Sequence, residues 1–235
     1  MLYPQWCLAI KSVLEGVSLK VSLLRRSWVT FSIWIIGCYA SAINRFIVKG
    51  AQLIPRTGGV LIASNHISAY DTIFLPWAVV RGNPLQMLWA PAKEELFANR
   101  VLGLLYRSWG AFPVRRGRDL RAGKHINELL LDQKVMLFPE GTRHKDGMLG
   151  KGNRGVGKII YDTRPSVIPA ALFGVNAWRF PSFGASGGVS FGASLDFDDL
   201  YELPDCKETH QLIVDRVMDA IASLLKVERR YLHAD

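Results

Sequence analysis

From Gly50 onward, short apolar runs alternate with segments of helical period. "GVLIASN" (59–65) is a compact apolar run and predicts a strand; "DTIFLPWAVVR" (71–81) predicts a helix that opens near Asp71. The alternation continues with a strand in "LQMLWAP" (85–91), one or two helices in "KEELFANRVLGLLYRSW" (93–109) and a short strand in "AFPV" (111–114). "RDLRAGKHINELLLD" (118–132) predicts an amphipathic helix, "KVMLFPE" (134–140) a buried strand and "NRGVGKIIYDT" (153–163) a helix. "SVIPAALFGV" (166–175) and "GVSFGASLDF" (188–197) predict two further strands, and residues 207–232 a long C-terminal helix. Strands separated by helices imply an α/β fold with a largely parallel, helix-covered central sheet. "FPSFGASGG" (180–188) is the one Gly/Ser-rich stretch and predicts a surface loop.

The first part of the chain follows a different pattern. Residues 6–24 predict a helix with a narrow polar stripe, Lys11, Glu15, Ser18 and Ser22, while Lys20 falls off the stripe and must snorkel. Trp28 to Ile43 contains no charged residue over sixteen positions, fewer than the roughly 20 that a helix needs to cross a bilayer core. Arg25 and Arg26 precede this run and Arg45 and Lys49 follow it, so charge bias gives no orientation for a span. Two short helices lying in one leaflet fit best. A single transmembrane helix is the first alternative. A signal peptide is the second, disfavoured because the basic pair stands 25 residues into the chain. We therefore expect a membrane-associated helical segment over 1–49 and a catalytic domain over 50–235.

Charge changes the picture in the same direction. The net charge is +9, from 29 basic and 20 acidic residues, which points to an anionic partner. Residues 1–50 hold six basic residues against Glu15 alone, in the most apolar part of the chain. Basic plus apolar indicates a membrane surface and argues against nucleic acid. Cys7, Cys38 and Cys206 are odd in number and far apart, with no disulfide or metal spacing. A reducing, cytoplasmic exposure is expected, at the inner face of the cell membrane.

Chemistry concentrates in "NHISAYD". His66 and Asp71 are five residues apart; on one helix their side chains would diverge by about 140°, and on one strand they would take opposite faces. They meet only if the chain turns between them, with Asp71 as N-cap of the following helix. Both would then stand at the exposed end of a strand, where open α/β sheets place their sites. A carboxylate on one ring nitrogen fixes the tautomer and frees the other as a base. No Ser or Cys nucleophile is supplied alongside, which leaves the nucleophile to the substrate's own hydroxyl. Taken alone, the pair more readily describes a helix cap beside a loop histidine. The second stretch, "VMLFPEGTRHKDG", runs from a strand into Glu140, Gly141, Thr142 and Arg143. A planar guanidinium after a glycine turn suits a phosphate clamp.

Together "NHISAYD" and "FPEGTR" resemble the glycerolipid acyltransferase family, which includes the 1-acyl-glycerol-3-phosphate acyltransferases. "GAFPVRR" (110–116) resembles the family's second block and "VIPAAL" (167–172) its fourth; Lys93 in "APAKEEL" and "GKGNRGV" (150–156) also match in order. The resemblance spans about 50–172. It implies that His66 takes the proton of an acceptor hydroxyl, which attacks an acyl thioester on coenzyme A or acyl carrier protein. It implies that Asp71 orients His66, and that Lys93 or backbone N–H groups hold the oxyanion. Arg116, Glu140, Gly141, Thr142 and Arg143 would form the acceptor phosphate site, with Glu140 bracing its loop. The implied acceptor is 1-acyl-glycerol-3-phosphate and the product phosphatidic acid, with glycerol-3-phosphate or another lysophospholipid as alternatives. No cofactor or metal is implied; the partners are membrane lipids, the acyl thioester and the lysophospholipid. Arg115 departs from the family, many members having an acidic residue there.

Two further motifs are weaker. "GASGG" matches G-x-S-x-G around Ser186 and would suit a lipid hydrolase, but no apolar strand precedes it and no helix follows. "GNRGVGKI" is one residue short of a phosphate-binding loop, and Ile159 replaces the hydroxyl residue such loops need.

Overall fold

The computed structural model describes residues 22–82, 85–115, 119–179 and 181–232. Helix α1 (Leu23–Cys38) passes through one π-turn into β1 (Arg45–Lys49). Then follow β2 (Val60–Ser64), α2 (Asp71–Val80), β3 (Leu88–Lys93), α3 (Arg100–Ser108) and β4 (Ala111–Val114). The remainder is α4 (Leu120–Leu129), β5 (Lys134–Leu137), α5 (Arg154–Thr163), β6 (Ser166–Phe173), β7 (Ser186–Phe191), α6 (Asp198–Tyr201) and α7 (Lys207–Leu232).

Among the described residues the strands form one sheet in the order β1-β7-β6-β2-β5-β3-β4. All neighbours are parallel except β6 and β7, which pair antiparallel. The α/β fold with a mostly parallel sheet is therefore as the alternation implies. β2 and β6 are its apolar centre, with Val60, Leu61, Ile62, Val167, Ile168 and Leu172 fully buried.

The connections fix where a site can form. From β2 the chain crosses through α2 to β3 on one side; from β5 it crosses through α5 to β6 on the other. Right-handed crossovers running in opposite directions put α2 and α5 on opposite faces. The C-terminal ends of the adjacent strands β2 and β5 thus flank a topological switch point, the crevice where open α/β sheets bind ligands.

The N-terminal part differs from expectation at its end. Arg45–Lys49, placed by the sequence in the helical segment of 1–49, is a strand paired with β7, so the sheet begins before residue 50. The five-residue run has basic ends and buries Phe46, a pattern too short to stand out beside the apolar run before it. Of the two expected N-terminal helices, most of 6–24 lies outside the described residues. The second corresponds to α1, which buries Val29, Ile33 and Gly37 and packs on α2. Its opposite side exposes Leu24, Phe31, Trp34 and Ile35. Among the described residues no helix is long and apolar enough to cross a membrane.

One buried cation lies at the opposite end of the sheet from the switch point. Lys134 opens β5, is 4% exposed, and donates from Nζ to the Arg56 carbonyl at 3.0 Å. Burial pushes its pKa down. The unfolded chain therefore holds more protons than the native one between the depressed value and the ordinary 10.5, and stability rises with pH across that window. Lys134→Met should raise stability at neutral pH by about 1 kcal/mol, roughly 2–4 °C in Tm. The Arg56 carbonyl stays satisfied because Gln86 Nε2 also donates to it, at 2.8 Å. Thermal melts of the two proteins at pH 7 and pH 10 check this, the gap closing at the higher pH.

Candidate active site

β2 ends at Ser64, and the chain leaves the sheet without losing its hydrogen bonds. Asn65, 1% exposed, takes over: its Nδ2 donates to the Leu172 carbonyl at 2.9 Å, and its Oδ1 accepts the Leu172 N–H at 2.7 Å. The side-chain amide so substitutes for a peptide unit of the ladder while the backbone turns away. Asn65 stands in the NHISAYD motif, but no local feature of the sequence marks this role.

The turn then brings His66 and Asp71 together. His66 Nδ1 lies 2.8 Å from Asp71 Oδ2, which also accepts the N–H groups of Ile67 at 2.6 Å and Ser68 at 2.7 Å. Asp71 is fully buried. Its position corrects one detail, for it is the first residue of α2 and makes no cap bond to the helix. Side chains in a helix tilt toward its N-terminus, so the carboxylate of a first residue faces back into the preceding loop. An ionised carboxylate only accepts, so Nδ1 carries the proton and Nε2 is left as the free acceptor. The imidazole stacks on Phe138 with centroids 4.0 Å apart and planes inclined by 11°, and its side chain is 14% exposed.

The turn after β5 stands beside it. Gly141 donates to the Phe138 carbonyl at 2.9 Å and adopts φ +68°, a conformation that favours glycine. This turn projects Thr142 and Arg143 outward, both exposed. Arg143 has no carboxylate partner among the described residues. The His66 N–H donates to Glu140 Oε1 at 2.8 Å, and the His144 N–H donates to the His66 carbonyl at 2.8 Å.

The other expected residues lie farther along the same edge. Lys93 is the exposed last residue of β3. Arg115 follows β4, three strand spacings from β2, about 14 Å at the usual separation. Its Nε donates to Glu94 Oε2 at 2.9 Å and its N–H to Asp119 Oδ2 at 3.0 Å; the bond to Glu94 raises its pKa. Arg116 lies outside the described residues. Tyr70 stacks on Phe74 at 5.4 Å behind the loop, and burial pushes its phenol up.

Neither weaker motif has the required setting. Ser186 is the first residue of β7, so no strand-to-helix elbow surrounds it. Lys158 sits inside α5 and pairs with Asp162 and Asp205.

A model of the Acyltransferase family matches residues 45–172, from the start of β1 into β6. The chain belongs to this family. A 1-acyl-sn-glycerol-3-phosphate acyltransferase of Borreliella burgdorferi is 25% identical over 173 residues, 72% of this chain and 64% of that protein. This chain therefore spans somewhat less than two thirds of that relative's length. A protein of the same name from Streptococcus pneumoniae is 27% identical over 199 residues, 83% of this chain and 70% of its own. The crystal structure of the 1-acyl-sn-glycerophosphate acyltransferase PlsC from Thermotoga maritima superposes with a TM-score of 0.62 at 20% identity, covering 85% of this chain and 80% of that one. The acyltransferase match starts at the same residue as the sheet, Arg45.

Proposed function

We propose that this acyltransferase moves a fatty acyl group from an acyl thioester to the free hydroxyl of 1-acyl-glycerol-3-phosphate, forming phosphatidic acid. The observation that carries this reading is the Asp71-held imidazole at the switch point, one strand away from an exposed arginine turn. His66 Nε2 accepts the hydroxyl proton as the oxygen attacks the thioester carbonyl. The resulting imidazolium is stabilised by Asp71. Lys93 or backbone N–H groups hold the oxyanion. Collapse of the tetrahedral intermediate breaks the C–S bond, and the thiolate leaves with the proton from His66. Coenzyme A and acyl carrier protein both supply the required thioester. We assign the acceptor phosphate to Arg143, with Gly141 and Thr142 shaping its turn, and give Arg116 the same role.

The membrane reading rests on the exposed apolar side of α1 and the basic residues around it. Leu24, Phe31, Trp34 and Ile35 enter the cytoplasmic leaflet in this proposal, and the acceptor arrives already dissolved there. The helical segment and the catalytic domain then meet at Arg45.

The acceptor assignment is tested at Arg143. A phosphate monoester carries close to two charges and suits a guanidinium fork. Arg143→Ala should raise KM for lysophosphatidate about 10- to 100-fold, the loss of one charge-assisted pair, with the thioester KM within about threefold. Arg143→Lys should rescue only in part, because a point charge lacks the planar fork. Steady-state kinetics with both thioesters and several lysolipids decide it. Equal turnover of lysophosphatidate and a lysolipid without phosphate sinks the assignment.

A further inference from the structure

Glu140 belongs to the turn assigned above to the acceptor phosphate, yet its carboxylate is directed elsewhere. The side chain has no solvent exposure. Oε1 accepts the His66 N–H at 2.8 Å; Oε2 accepts the Gly150 N–H at 2.7 Å and lies 3.4 Å from His144 Nε2. A carboxylate with both oxygens taken up, and with the charge of the ligand, is no partner for a phosphate.

His66 has left the strand, so its peptide groups depend on what this turn supplies. Its N–H is held by the Glu140 side chain and its carbonyl by the His144 N–H. Both ends of the five-residue segment Glu140–His144 are therefore fastened to the backbone of one residue, and Gly141, Thr142 and Arg143 lie between the fastenings. The approach is tight on the far side also. A Cβ at Gly150 would come within 2.3 Å of His144 Nε2 and 2.9 Å of Glu140 Oε2.

We propose that Glu140 is a positioning residue for His66: it straps the backbone of the base to the turn that carries Arg143, setting Nε2 relative to the bound acceptor. This rests on His66 being the base. The Asp71 bond and the Phe138 stack fix how the ring is turned, and Asn65 and the Ile67 N–H are held on either side; the strap alone holds the N–H and carbonyl of His66 itself. Displacement of a reacting group by about 1 Å costs on the order of 100-fold in rate. A charged acceptor of two N–H groups is also stronger than a neutral carbonyl, which suits a loop residue that no ladder holds.

The test is Glu140→Gln beside Glu140→Ala, each followed by steady-state kinetics on lysophosphatidate and an acyl thioester. Glutamine keeps one acceptor oxygen at unchanged length, so kcat should fall about tenfold, and about 100-fold in the alanine variant. Both KM values should stay within about threefold, since no substrate contact is removed. A rise in lysophosphatidate KM above about tenfold would return Glu140 to the acceptor site and overturn the proposal. So would a wild-type kcat in Glu140→Gln, which also decides the matter alone if Glu140→Ala does not fold. His66→Ala run in parallel separates the two failures: substantial residual activity there removes the base reading itself, whatever Glu140 does.

Discussion

His66→Ala should lower turnover by about 1000-fold or more while the protein stays folded, the scale expected when a general base is deleted from a site that otherwise binds. The structure separates the base from the scaffold. The two hydrogen bonds that place residue 66, to Glu140 and from His144, use backbone atoms and survive the substitution. So does the Asn65 bridge to Leu172 just before it. What disappears is the ring, its stack on Phe138 and its bond to Asp71. Asp71 keeps two backbone donors, so its buried charge is not abandoned. KM for both substrates should change by less than about threefold, because the proton is abstracted on the way to the transition state and not on binding. Rapid-quench measurement of product, with circular dichroism as the folding control, checks the result. More than a tenth of wild-type activity would mean that another group takes the proton.

The part of this site that was legible in the sequence is the part encoded locally. The apolar runs 59–65 and 134–140 read as buried strands, and both are, side by side in the sheet. The five-residue interval between His66 and Asp71 required a turn, and the turn is present. What the sequence concealed depends on distance or direction. The pairing of β1 with β7 joins residues about 140 apart, and no local signal marks "RFIVK" as the end of one segment and the start of a sheet. The reversed direction of β7 likewise leaves no mark on its composition. Asn65 is legible only as one polar residue after a strand, because its role is set by Leu172 in another strand. Asp71 was expected to cap α2, but its location at the first helical position turns the carboxylate toward Ile67 and Ser68. Glu140 shows the same limit: the sequence suggests a carboxylate that braces its loop, but its partners, the N–H groups of His66 and Gly150, are set by the fold.

Asp71→Asn should cost about 100- to 10,000-fold in kcat, comparable with triads whose aspartate is neutralised. Asp71 Oδ2 serves three donors at once, His66 Nδ1–H and the N–H groups of Ile67 and Ser68. An asparagine must direct its carbonyl oxygen at the same three, since the reverse orientation sets an amide donor against donors. The loop geometry and the His66 tautomer then persist, and the charge does not. The imidazolium formed during acyl transfer loses its counter-ion in a fully buried position, where such an interaction is worth most. The amide nitrogen also replaces Oδ1, which is buried without a partner among the described residues, so the variant should lose about 1–3 kcal/mol of stability through unsatisfied donors. Asp71→Ala provides the contrast. It leaves the Ile67 and Ser68 N–H groups unpaired and frees the ring, so its Tm should fall further than that of Asp71→Asn for a similar loss of turnover. If Asp71→Asn keeps kcat within about tenfold of wild type while His66→Ala does not, the carboxylate serves to build the loop and His66 works as a base without it.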